Sequence, residues 1–138
     1  TTLSGDYTEG RVRRFCAKAR QPVAPRLLRA LGMEGLTVAA VCVYHDMVPA
    51  AVEALAGSGI PVAAVSTGFP AGLSPLPLRL AEIGESVRAG AAEIDIVISR
   101  RHVLAGDWQA LYDETRAMRE ACGDAHMKAI LATGELGT

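Results

Sequence analysis

The chain has 138 residues, half of them hydrophobic and 21% charged, with a formal net charge of -1. That is the composition of a globular domain, not of a disordered or collagen-like chain. No basic excess marks a nucleic-acid surface, and no apolar run reaches the roughly 18 residues of a membrane helix, so neither partner is expected.

The opening TTLSGDYT is polar and lacks the basic-then-apolar shape of a secretory leader. The stretch EGRVRRFCAKAR (9–20) predicts an amphipathic helix capped by Thr8, and QPVAPRLLRALG (21–32) a second, short one. TVAAVCVY (37–44) is a β-rich apolar run. MVPAAVEALAGSG (47–59) has helical spacing, with Val48, Val52 and Leu55 on one face and glycines as its stop. IPVAAVST (60–67) predicts a second strand. PLPLRLAEIGESVRAG (75–90) predicts a helix, with prolines at its start and Gly90 just past its end. EIDIVIS (93–99) is a third strand. DWQALYDETRAMREACG (107–123) predicts a helix with Asp107 as N-cap and Gly123 as stop, and HMKAILAT (126–133) a fourth strand.

Strand and helix therefore alternate, the signature of a parallel α/β fold. A doubly wound open sheet and a (β/α)8 barrel both fit. The barrel needs about 250 residues, so on that reading the 138 residues are a single-domain segment of a longer chain, and the abrupt ends of the sequence agree.

Side chains alternate along a strand. On 93–99, Ile94, Ile96 and Ile98 share the face expected against helices, and Glu93, Asp95, Val97 and Ser99 share the other. His126, Lys128, Ile130 and Ala132 share a face of the last strand, as do Val38, Ala40, Cys42 and Tyr44 of the first. Asp95, Lys128 and Cys42 are thus expected to converge on one interior. Only two of the fourteen basic residues are lysines, Lys18 and Lys128. A carboxylate beside a lysine can shuttle protons in carbanion or iminium chemistry, and a lysine kept neutral can attack a carbonyl. The same pair can instead be purely structural, each partner satisfying the other's buried charge.

The remaining signals are weaker. Cys16, Cys42 and Cys122 are widely separated, odd in number and without metal-ligand spacing, which fits a reducing, cytoplasmic setting. Cys42 reads as a small core residue before it reads as a nucleophile. TGFPAG (67–72) and TGELG (133–137) follow strands and permit tight loops at the ligand-bearing end. His45 reads as an incidental surface histidine. Trp108 and Tyr112, four apart on a helix, are expected to pack.

Taken together, AAVCVY, VSTGFPAG, AAEIDIVISR, KAILATGELGT and the opening TTLSGDYT resemble the 2-deoxyribose-5-phosphate aldolase family, in order and spacing along nearly the whole chain. The resemblance implies a class I aldolase on a (β/α)8 barrel, here incomplete, with about strands 2 to 5 and the preceding helices. It implies reversible cleavage of the phosphosugar 2-deoxyribose 5-phosphate to glyceraldehyde 3-phosphate and acetaldehyde through a lysine Schiff base, with no metal and no other cofactor. Asp95 matches the family's catalytic aspartate in E-[IV]-D-[IV]-V. Cys42, Lys128 and Thr2 match residues lining the substrate pocket, and Lys128 is not the imine former. The family's imine lysine, relay lysine and phosphate loops correspond to sequence past Thr138. An aspartate usual before the paired threonines is missing, and His45 stands where a proline is common. The family is often dimeric, so a homodimer is possible. The alternative is a non-catalytic half-barrel that pairs with another chain.

Overall fold

The structure, a computed structural model, describes residue 1 and residues 3–137. The first helix, α1, spans Glu9–Arg20. Thr8 sits before it in extended backbone and its hydroxyl accepts from the Arg11 amide, which satisfies one of the donors a helix start leaves open. Val12, Cys16 and Ala19, spaced four and three apart, form its buried stripe. The short α2, Pro25–Ala30, begins on a proline and buries Leu28.

The sheet strands are β1 (Val41–Tyr44), β2 (Val62–Val65), β3 (Glu93–Val97) and β4 (His126–Ile130). Among the described residues they form one parallel sheet in the order β1-β2-β3-β4. The helices between them are α3 (Val48–Leu55), α4 (Leu76–Arg88), α5 (Arg100–Ala105) and α6 (Trp108–Ala121). This sequential parallel order is the arrangement of a partial (β/α)8 barrel rather than of a doubly wound sheet, whose strand order reverses.

The helix-facing side of the sheet carries the core. Ile94 and Ile96 of β3 join Val41 and Val43 of β1, Ala64 of β2, Ile83 of α4 and Met118 of α6 in one buried cluster. Each large side chain there contributes roughly 1.5–3 kcal/mol by leaving water. The Arg20 guanidinium donates to the Ala54 and Ala56 carbonyls and so clamps α1 over the end of α3.

Three details differ from the sequence reading. The first strand begins at Val41 rather than 37, because the Val38 amide donates to Ala19 of α1 and not to a neighbouring strand. The segment Arg100–Ala105, to which the sequence reading assigns no element, is the short helix α5, ended by Gly106 in the left-handed region. Trp108 and Tyr112 do share a helix face, but it is the outer one, and they are 63% and 64% exposed. Spacing of four residues fixes a common face and says nothing of its direction.

Candidate active site

The strand register lays two rows of side chains across the interior face. Tyr44, Val65, Asp95 and Lys128 form one row, and Cys42, Ala63, Glu93 and His126 the other. The expected convergence is present. Lys128 Nζ lies 2.9 Å from Asp95 Oδ1, and the Cys42 thiol lies 3.6 Å from Asp95 Oδ2, reaching diagonally over the small Ala63. Thr2, the remaining residue expected in the pocket, lies outside the described residues.

Glu93 completes the cluster. Lys128 Nζ donates to Glu93 Oε1 at 2.6 Å. The contact from the same ammonium to Asp95 Oδ1, at 2.9 Å, is poorly aligned, and among the described residues that buried oxygen has no better donor. Asp95 is 5% exposed, and that burial lifts its pKa above the ordinary carboxylate range, opposed by Lys128. The hydrogen bond from Lys128 holds the Glu93 carboxyl below its ordinary range. Glu93 first and Asp95 after it push the Lys128 ammonium well above the usual lysine value, against the effect of burial. Burial, then the neighbouring Asp95 charge, push the Cys42 thiol up. A thiol kept protonated is a poor nucleophile.

The loops after the strands form the rim. Thr67, with φ 61°, exchanges hydrogen bonds with Val97, its hydroxyl accepting from the Val97 amide at 2.6 Å and donating to the Val97 carbonyl at 3.3 Å. Gly72 packs so close to Val97 that a Cβ there would stand 2.8 Å from Cγ1. His45 Nδ1 lies 3.3 Å from Glu82 Oε1, and Tyr44 meets Phe69 edge to face. On the other side Glu135 of the TGELG segment pairs with Arg100 at 2.8 Å.

Arg79 of α4 ties the rim together. It is 2% exposed, donates to the carbonyls of Thr67 and Val97 and to Ser99 Oγ, and pairs with Glu114 of α6 at 2.9 Å. Glu114 also accepts from the Ser99 amide. One buried ion pair thus fixes the C-terminal ends of β2 and β3 next to Asp95. Sequence reasoning placed Glu93 on the right face without singling it out, and its signal was the alternation itself. Arg79 gave no signal, since an arginine on an amphipathic helix reads as solvated surface.

A buried carboxylate held beside a fixed ammonium can accept a proton and return it. A lysine kept charged by two carboxylates cannot add to a carbonyl, because only the neutral amine is nucleophilic.

Residues 11–137 match the model of the DeoC/LacD family of aldolases. The human protein named deoxyribose-phosphate aldolase is 58% identical over 142 aligned positions, which take in 100% of this chain and 45% of that protein. The chain thus spans about half the length of the curated relatives it matches. Among solved structures, "QR15, an Aldolase" superposes on 99% of this chain and 54% of its own, with a TM-score of 0.79 and 25% identity. Deoxyribose phosphate aldolase from Aeropyrum pernix, 20% identical, superposes on 97% of this chain and 50% of its own with a TM-score of 0.68, a likeness of fold.

Proposed function

The chain belongs to the DeoC/LacD family of aldolases, and on that premise we propose that it carries the acid–base half of a deoxyribose-phosphate aldolase site. The observation that supports this reading most is the buried Asp95, set on the barrel-interior face with Lys128 Nζ at 2.9 Å.

In the proposed reaction a lysine amine, supplied by the part of the family's barrel that these residues do not span, adds to the open-chain aldehyde of 2-deoxyribose 5-phosphate. Loss of water gives an iminium. Cleavage of the C2–C3 bond sends its electron pair into the iminium to form an enamine, while the C3 hydroxyl loses its proton and glyceraldehyde 3-phosphate leaves. The enamine carbon then takes a proton, and water releases acetaldehyde from the lysine. Asp95 is the group proposed to carry these protons, which general acid–base catalysis makes worth about 10²–10⁴ in rate. Lys128 stays an ammonium and Cys42 lines the wall. Thr2 is assigned to the pocket on the family pattern alone. The proposal extends to one domain comprising the 138 residues and their continuation, a possible homodimer, and a cytoplasmic setting. Among the described residues no helix is long and apolar enough to cross a membrane.

The test is borohydride trapping with 2-deoxyribose 5-phosphate on the intact polypeptide that carries this sequence. The expected result is a reduced adduct on a lysine other than Lys128, located by peptide mass mapping. Absence of any lysine adduct sinks the reading.

A further inference from the structure

Register sets Lys128 directly opposite Asp95, yet its hydrogen bond goes to Glu93, one pleat back. Burial does not force this choice, since the Lys128 side chain is 54% exposed. The consequence falls on Asp95, whose buried Oδ1 has the ammonium 2.9 Å away and, among the described residues, no well-aligned hydrogen bond. The groups facing Asp95 are few. Among the described residues β1 presents Cys42 and Tyr44, β3 presents Glu93, and β4 presents Lys128 and His126; β2 presents Ala63 and Val65, which do not titrate.

We propose that Glu93 is a positioning residue for Asp95 and Lys128: by taking the ammonium's hydrogen bond it keeps Lys128 charged and leaves the Asp95 carboxylate open for proton transfer. A one-to-one Asp–Lys pair would saturate the carboxylate and make it a weaker base. With Glu93 present, one ammonium serves two carboxylates, and neither the field at Asp95 nor the lone pair on its oxygen is lost. The same arrangement withdraws Lys128 from imine formation, so the site holds a lysine that does not compete for the substrate's carbonyl. The shifts agree in direction: Glu93 is the largest cause raising Lys128, and its charge adds to the lift that burial gives Asp95.

The kinetic part of this proposal rests on the aldolase reading; the part concerning Lys128 does not. The experiment is competitive acetylation of the intact polypeptide with acetic anhydride at pH 9, mapped by peptide, with Lys18 of α1 as internal reference. In the wild type Lys128 should label about tenfold or more slowly than Lys18. In Glu93→Gln its rate should rise about tenfold for each pKa unit removed, with Lys18 unchanged. The acid limb of kcat/KM should also move to lower pH in Glu93→Gln, because Asp95 loses a neighbour that raises it. A merely structural Glu93 would scale the profile without moving it. Equal labelling of Lys128 and Lys18 in the wild type overturns the proposal, as does an unchanged ratio in Glu93→Gln. If that variant fails to fold, the wild-type ratio and the Glu93→Asp variant decide in the same way. A wild type without turnover defeats the aldolase reading, and the labelling ratio still judges Glu93.

Discussion

Asp95 is held at a cost, and the cost is measurable. Burial raises its pKa, so the native state binds its proton more tightly than the unfolded chain does. Ionising it therefore removes stability as pH rises from the ordinary aspartate range through the raised value. The lowered Glu93 behaves oppositely: its contribution is present above the ordinary glutamate range and is lost as pH falls through its depressed value. Asp95→Asn should accordingly leave stability at pH 7 unchanged or raise it by up to about 1 kcal/mol, while turnover falls about 10²–10⁴-fold. Thermal melts beside kcat on the intact polypeptide check both; equal loss of stability and activity would support a purely structural pair. Alternation along the strands sufficed to place Asp95, Lys128 and Cys42 together. It could not say which carboxylate would win the lysine, because that depends on a rotamer and not on a face.

At the scale of elements, the Arg79–Glu114 pair joins α4 and α6 to the ends of β2 and β3. Arg79→Met should cost about 3–5 kcal/mol in urea unfolding, since it strands a buried carboxylate. The double variant Arg79→Met/Glu114→Leu should cost much less than the sum of the two single ones, since it removes both charges together. Gly72→Ala should cost about 1–3 kcal/mol: its φ is 69°, and the added methyl would meet Val97 Cγ1 at 2.8 Å. Strands, longer helices and caps were legible because periodicity, prolines and glycines mark them locally, as Thr8 and Asp107 do with their cap bonds. The helix α5 was not, since six residues offer too few turns for a period. The buried Arg79 was hidden for a different reason: its partners lie in three other parts of the chain, joined only by the fold.

Across the whole molecule, the sheet ends at β1 and β4, each paired on one side only among the described residues. Parallel strands with open edges invite pairing. Residues 1–138 expressed alone should therefore elute above monomer size at micromolar concentration in size-exclusion chromatography, and a folded monomer would contradict this. The barrel class was legible from the βα alternation together with the family resemblance; which residues meet across the interior required the register. That register has a last consequence in the sign of the field. With Glu93 and Asp95 ionised and Lys128 charged, these three groups of the described floor sum to one negative charge beneath the rim. If the proposed phosphosugar is the substrate, this charge would turn its dianionic phosphate outward and let the carbonyl enter first. On the same proposal, a cation formed from that carbonyl would be held more tightly by the surplus charge below than the neutral aldehyde. The floor would thus orient the substrate and favour its activated form without touching either reacting carbon.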